Sequence, residues 1–196
     1  DVGGVLLLPN PERILAAFRA SGVAHAADHE THVRAHYAAM AAYDASPHAP
    51  DEWRPYTDAF LATLGVPPHE LDPALAALDL VFAAPVPELW SLPLGQSVAA
   101  ARRLVAAGIP VAIVSNADGR IDEALGAAAI AQVGPGPGVE LVALVDSGLV
   151  GVAKPDPRIF DHVLRPLGLP ASRCAYVGDS VRNDVVGARA AGLVPV

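Results

Sequence analysis

Four short stretches of this 196-residue chain hold side chains that could act together: Asp1 with Gly3-Gly4, Ser115-Asn116, Lys154 before Pro155, and Gly178-Asp179 with Asp184. A carboxylate can attack phosphorus and hold the phosphoryl group as an acyl phosphate. Several carboxylate oxygens suit a hard divalent cation, which offsets charge on both an attacking Asp and a phosphate. A lysine and hydroxyl or amide donors stabilise the remaining phosphoryl oxygens. Each piece alone has a plainer reading: a turn or cap residue, a helix cap, a surface lysine, a helix-face charge. Their order and shared placement after strand-like runs point to phosphoryl transfer through a covalent intermediate. Gly3 and Gly4 permit a tight backbone path after Asp1, and Gly178 does the same before Asp179.

The elements that must position these residues alternate in the second half of the chain. Ser97 to Ala107 reads as a helix closed by Gly108. Val111 to Val114 reads as a buried strand ending at Ser115-Asn116, with a helix following over about Arg120–Ala128. Leu141 to Val145 is a second apolar run followed by a helix over Pro157–Leu167. Cys174 to Val177 is a third run, ending at Gly178-Asp179, and its helix spans about Val181–Ala191 before Gly192. Buried strands alternating with helices require crossovers and a parallel sheet covered on both faces. Ligands in such sheets bind beyond the carboxyl ends of the strands, where these polar residues fall.

Between the opening motif and Pro93 the rhythm is helical, with no strand candidates. Patterns cover about Ala24–Tyr43, Asp51–Leu64 and Glu70–Val81. In the second, Trp53, Tyr56, Phe60, Leu61 and Leu64 share one face, and Pro55 is tolerable near the first turn if Asp51 caps it. Pro85 to Pro93 reads as a linker returning to the α/β part, and Gly134 to Gly138 as a surface loop.

These motifs resemble those of the haloacid-dehalogenase-like superfamily. Asp1-Val2-Gly3-Gly4-Val5-Leu6 looks like its first motif, and Val111 to Asn116 like its second. Lys154-Pro155-Asp156-Pro157 resembles the third, and Gly178-Asp179-Ser180 through Asp184 the fourth. The resemblance implies an α/β, Rossmann-like doubly wound parallel sheet with a small helical C1-type cap inserted after the first strand. The core would comprise residues 1–12 and 91–196, and the cap residues 13–90. It further implies Mg2+ held by Asp1, Asp179 and the backbone carbonyl of Gly3. Asp1 would be the nucleophile, Ser115, Asn116 and Lys154 would contact phosphate, and Asp184 would orient Lys154 or metal-bound water. The implied substrate is a small phosphate ester.

Position 3 departs from the pattern. Many family phosphatases carry a second Asp two residues after the nucleophile as general acid/base, whereas Gly3 offers only a carbonyl. Proton transfer contributes about 10²–10⁴-fold, so its loss favours leaving groups of low pKa, such as those of sugar 1-phosphates or acyl phosphates. A metal-independent 2-haloacid dehalogenase also lacks that Asp, but has no use for the metal-binding form Gly178-Asp179-Ser180. A non-catalytic binding module with this fold is the third reading.

Bulk properties narrow the class. Apolar residues make up 53% and charged residues 17%, which excludes disorder. The formal net charge is -8 and the basic residues are scattered, so neither nucleic acid nor an anionic membrane is an expected partner. One cysteine gives no internal disulfide framework and fits a reducing, cytoplasmic setting. No apolar run approaches the ~20 residues of a membrane helix, and no basic-plus-apolar leader opens the chain. The chain starts on Asp1 without Met and stops on the strand-like Leu193 to Val196, so both ends read as cut.

Weaker signals have plain readings beside sharper ones. His25, His29, His32 and His36 share one helical face, continued by Met40 and Tyr43. That face reads as packed or solvated, with a transition-metal site or a cleft-facing surface as alternatives. Cys174 reads as core filler, Trp53 and Tyr56 as packing, Arg19 and Arg54 as surface, and Asp118 as a helix-start residue.

Overall fold

A computed structural model describes residues 1–24, 27–46 and 53–196. His25, and Asp51 as a helix cap, lie outside the described residues. A short strand β1 (Leu7–Pro9) leads into α1 (Pro11–Ala20). Asn10 accepts the Glu12 N–H at 2.9 Å, Pro11 takes the first helical position, and Ile14 and Phe18 are buried four residues apart. The sequence reading missed this helix because Asn-Pro also reads as a turn. Helix α2 (His29–Ala45) starts at Asp28, whose carboxylate accepts the Thr31 N–H at 2.7 Å. Helices α3 (Arg54–Leu64) and α4 (Leu71–Phe82) follow, with Gly65 ending α3 at φ 81°. Ile14, Phe18, Ala39, Tyr56, Phe60, Leu61 and Leu78 form one apolar cluster among these four helices. Trp53 departs from the expected buried face: it precedes α3, is 54% exposed and stacks on Tyr43 at 5.0 Å between ring centroids.

The segment Pro85 to Pro93 is structured, not a linker. It holds a helical turn α5 (Val86–Leu89) and strand β2 (Trp90–Pro93). Strand β2 pairs antiparallel with β1, Leu7 opposite Pro93 and Pro9 opposite Trp90, so the two ends of the helical segment are tied together. The shortness of the strand and its prolines conceal it in sequence.

From Gly95 the chain alternates as expected: α6 (Gly95–Ala106), β3 (Ala112–Ser115), α7 (Ile121–Ala127), β4 (Ala131–Val133), β5 (Val139–Leu141), β6 (Ala143–Asp146), α8 (Ser147–Val150), α9 (Asp161–Leu167), β7 (Ala175–Tyr176), α10 (Val186–Ala190) and β8 (Val194–Pro195). A 3₁₀ turn over Pro157–Phe160 precedes α9, and a π-helical turn over Val181–Val185 runs into α10. Strand β3 lies parallel to β6 from Ala112 opposite Ala143 to Ser115 opposite Asp146; β4 with β5 and β7 with β8 are also parallel pairs. Among the described residues the hydrogen-bonded ladders are four pairs, not one continuous sheet. The apolar run Leu141 to Val145 is two strands, broken at Val142, whose N–H turns to the Val111 carbonyl at 2.8 Å.

Alternation along β3 shows how the strand region is covered on both faces. Ile113 packs with Val2, Leu6, Leu125 and Leu141, while its neighbour Val114 packs with Val145, Phe160, Val163 and Tyr176. The result is a Rossmann-like α/β fold with apolar layers on either side of its parallel strands. Cys174 is half-buried just before β7, beside that second layer. Among the described residues no helix is long and apolar enough to cross a membrane.

Candidate active site

Asp1 sits where the buried Val2 anchors the chain start. Its backbone N donates to the Val177 carbonyl at 2.9 Å, which brings it beside the loop after β7. The Val2 carbonyl accepts the N–H groups of Leu6 and Leu7 at 2.8 and 3.0 Å, closing the turn that follows. Gly4 in that turn has φ 66°, and a Cβ there would lie 2.0 Å from Asp179 Oδ2. Gly178 is equally constrained, since its Cβ would fall 2.3 Å from Asp184 Cγ. Both glycines let backbone and carboxylate share one small space.

The Asp1 carboxylate is asymmetric. The Val2 N–H at 2.7 Å, the Ser115 hydroxyl at 3.1 Å and the Lys154 ammonium at 3.0 Å all converge on Oδ1. Among the described residues Oδ2 receives no donor. Ser115 ends β3, so strand register aims its hydroxyl here.

Lys154 is 4% exposed and fully engaged. Its ammonium donates to Asp184 Oδ1 at 2.7 Å and to the Tyr176 hydroxyl at 2.8 Å, and it forms an ion pair with Asp1 Oδ1 at 3.0 Å. The Tyr176 hydroxyl in turn donates to the Val114 carbonyl at 2.8 Å. Burial pushes the Lys154 ammonium below the ordinary lysine range, against the opposing pull of Asp184. Burial also holds the Tyr176 phenol far above its ordinary range, helped by Asp184.

Asn116 spends its side chain on Lys154. Its Nδ2 donates to the Lys154 carbonyl at 2.9 Å and its Oδ1 accepts the Lys154 N–H at 2.8 Å. The side chain expected on phosphate therefore brackets the lysine-bearing loop across 38 residues, because both of its polar ends already have backbone partners.

Asp179 and Asp184 complete the cluster. Carboxylate oxygens of Asp1, Asp179 and Asp184 lie within 4.8 Å of one another. Three carboxylates thus face one ammonium, and an oxygen-only donor set with that charge fits a hard divalent cation. Asp184, 1% exposed, also accepts the Ser180 N–H at 3.0 Å. The cluster opens into a cavity of about 800 Å³ that is also lined by Met40, Tyr56, Trp90 and Arg182.

Several contributors were not legible in sequence. His36, 1% exposed, reaches Asp179 Oδ2 with Nε2 at 3.1 Å and the Tyr56 hydroxyl with Nδ1 at 2.9 Å. A carboxylate only accepts, so Nε2 carries a proton towards Asp179. Burial keeps the Tyr56 phenol far above its ordinary range, so an intact hydroxyl faces Nδ1. Tyr37 donates to the Gly4 carbonyl at 2.8 Å. Of the histidine face, His29 is exposed, His32 is buried over Phe60, and His36 alone lines the cavity among the described residues. Asp146, at the end of β6, accepts the Gly119 and Ile121 N–H groups at 3.0 and 3.1 Å and so starts α7. Asp118 ties that same start to α5, accepting the Val86 N–H at 2.9 Å. The signal for Asp146 was available: an Asp at a strand end before Ser-Gly.

Position 3 is closely packed. A Cβ on Gly3 would lie 3.1 Å from the Trp90 indole, closer than ordinary van der Waals contact.

Comparisons with known proteins bear on the family and the fold. A segment of 47 residues is 49% identical to a phosphoserine phosphatase of Thermus thermophilus, covering 24% of this chain and 19% of that protein. The chain therefore matches well under two thirds of that relative's length. A HAD phosphatase from Thermococcus onnurineus superposes with a TM-score of 0.52 at 16% identity, over all of this chain and 82% of the other. A dehalogenase solved with an intermediate complex gives 0.53 at 21% identity, over 98% and 80%. At these identities the two structures share the fold alone. The model for the haloacid dehalogenase-like hydrolases matches residues 1–192, and the chain belongs to that family.

Proposed function

We propose that the chain is a Mg2+-dependent phosphohydrolase of small phosphorylated metabolites that works through an aspartyl phosphate on Asp1. The observation that carries this reading is the asymmetric carboxylate: Oδ1 of Asp1 is held by Ser115 and Lys154, and Oδ2 receives no donor among the described residues. Asp1 attacks the phosphorus of the ester, the bond to the leaving oxygen breaks, and the phosphoryl group rests on Asp1 as an acyl phosphate. Water then cleaves the acyl phosphate, giving inorganic phosphate and the free carboxylate. Lys154 and the Ser115 hydroxyl, which share the Asp1 carboxylate in the resting site, stabilise the transferred oxygens.

Mg2+, held by Asp1, Asp179 and the Gly3 carbonyl, would neutralise charge on nucleophile and phosphate. Asp184 lies close enough to its companions to join them, but its bond to Lys154 assigns it to orienting that lysine. Asn116 contributes by bracketing Lys154. Residues 1–12 and 91–196 form the catalytic core in this reading and residues 13–90 the cap, whose helices contribute Met40 and Tyr56 to the substrate cavity. With glycine at position 3, leaving groups that need no protonation are preferred. We place this chemistry in the cytoplasm.

Phosphate release from sugar phosphates, nucleotides and p-nitrophenyl phosphate, with Mg2+ and with EDTA, tests the reading. Metal-dependent turnover confined to good leaving groups, abolished in Asp1→Asn, is the expected result. Halide release from 2-haloacids that survives EDTA would replace it with the dehalogenase reading, which Gly3 favours. Ligand-induced thermal stabilisation without any turnover would leave a binding module.

A further inference from the structure

Helix α2 touches the catalytic loops at three places. His36 meets Asp179, Tyr37 meets the Gly4 carbonyl, and Asp44 meets the start of the helix that bears Asp184. The Asp44 contact is the most extensive. Its carboxylate accepts the Ser180 hydroxyl at 2.8 Å, the Val181 N–H at 2.6 Å and the Arg182 N–H at 3.0 Å.

The first N–H groups of a helix have no partner inside it. Here the Asn183 N–H goes to the Ser180 hydroxyl oxygen at 3.1 Å, and those of Asp184 and Val185 go to the Ser180 carbonyl at 2.9 and 3.2 Å. Val181 and Arg182 remain, and Asp44 takes both. A cap ordinarily comes from the residue just before the helix. Half of this one is supplied from more than 130 residues away, by a negative charge on the side of the helix dipole that favours it.

Ser180 joins this cap to the chemistry. Its hydroxyl donates to Asp44 while its backbone N–H donates to Asp184 Oδ2 at 3.0 Å. The other oxygen of Asp184 holds Lys154, and Lys154 holds Asp1. One continuous path therefore runs from Asp44 through Ser180, Asp184 and Lys154 to the carboxylate assigned as nucleophile.

We propose that Asp44 is a positioning residue: by capping the Val181 helix from α2, it fixes Asp184 and Lys154 against Asp1 only while α2 is seated on the catalytic loops. The role of the positioned groups rests on the phosphohydrolase reading; the positioning itself rests on the hydrogen bonds. Lifting α2 would return two N–H groups and the Ser180 hydroxyl to water, loosening the segment on which Asp184 stands.

The test compares Asp44→Asn and Asp44→Ala with Asp28→Ala, which removes the cap of α2 itself and touches none of these loops. Amide hydrogen exchange is read at Val181, Arg182 and Asp184 in the ligand-free protein, and p-nitrophenyl phosphate turnover is measured with Mg2+. In both Asp44 variants exchange should rise at least about tenfold at all three amides, as expected for losing bonds to a charged group. The kcat should fall about 10–100-fold, the cost typical of removing support behind a catalytic group, with KM within about threefold. Asp28→Ala should lower Tm and leave exchange at these amides and kcat unchanged. Unchanged exchange, faster exchange at Val181 and Arg182 that does not reach Asp184, or an equal kcat loss in Asp28→Ala would overturn the proposal. Faster exchange at all three amides with wild-type kcat would overturn it too. A wild-type protein that turns over no ester sinks the phosphohydrolase reading alone, because the exchange at Asp184 still decides the positioning. Asp44→Asn, nearly isosteric, carries the test if Asp44→Ala does not fold.

Discussion

Removing the Lys154 charge should destabilise the protein far more than a surface lysine would. Its ammonium lies 2.7 Å from Asp184 Oδ1 and 3.0 Å from Asp1 Oδ1, with both Lys154 and Asp184 almost without solvent contact. In Lys154→Met the aliphatic stem is kept, but among the described residues Asp184 is left with the Ser180 N–H and the neighbouring Tyr176 hydroxyl, with no opposite charge in contact. Breaking a buried pair from one side costs about 3–5 kcal/mol, because the remaining charge is left uncompensated. For a chain of this length each kcal/mol moves Tm by about 2–4 °C, so the loss should be about 6–20 °C. Asp184→Asn should cost less, since Lys154 keeps Asp1 as a partner. In the double variant Lys154→Met/Asp184→Asn the stranded charge is gone, so the combined loss should fall short of the sum by about 1–3 kcal/mol. Urea unfolding followed by the fluorescence of Trp53 and Trp90 measures all four corners of the cycle. Additive losses, or a Lys154→Met cost below about 1 kcal/mol, would refute the claim that Lys154 carries the charge of Asp184.

Two further outcomes follow from the geometry. Gly4→Ala places a side chain at φ 66°, which costs about 1–2 kcal/mol, and drives its Cβ into Asp179; Tm should fall and Mg2+-induced stabilisation weaken, and a variant with wild-type values of both would contradict the packing described. At high pH, Tyr56 and Tyr176 should keep their protons in the folded chain, while the unfolded chain loses them near the ordinary tyrosine value of about 10. The unfolded state then binds fewer protons, so stability should decline above about pH 10 by about 1.4 kcal/mol per pH unit for each tyrosine. A urea midpoint that stays flat from about pH 9 to about pH 11 would contradict the burial argument.

Much of the site was legible because its chemistry is written locally. Asp1 with two glycines, Ser115 at a strand end, Lys154 before proline and Gly178-Asp179 each combine a reactive group with a backbone signal. The alternating runs predicted a parallel arrangement that gathers them, and β3 does carry Ser115 to Asp1 across 114 residues. What escaped was whatever depends on register or on contact between distant elements. The run Leu141 to Val145 gave no sign that Val142 turns to Val111, and the prolines of Trp90 to Pro93 hid an antiparallel strand. His36 belonged to a four-histidine face, but periodicity cannot tell which turn of a helix meets a carboxylate 143 residues later. Asp44 and Tyr176 carried no signal, one ending a polar helix and the other sitting in an apolar strand.

Position 3 shows how a departure from a motif becomes structural. By sequence, Gly3 is only a missing acid. In the fold, the Trp90 ring stands 3.1 Å from the point where any Cβ would begin, and Trp90 is fixed in β2 opposite Pro9. That ring also meets His36 edge-on, with centroids 5.8 Å apart, while His36 binds Asp179. A side chain at position 3 would therefore need Trp90 to give way by a few tenths of an ångström, and Trp90 also packs against the histidine that meets Asp179. In the proposed phosphohydrolase, a preference for leaving groups that need no protonation would then rest on the packing of three elements, β2, α2 and the turn after Asp1, and not on a single exchanged residue.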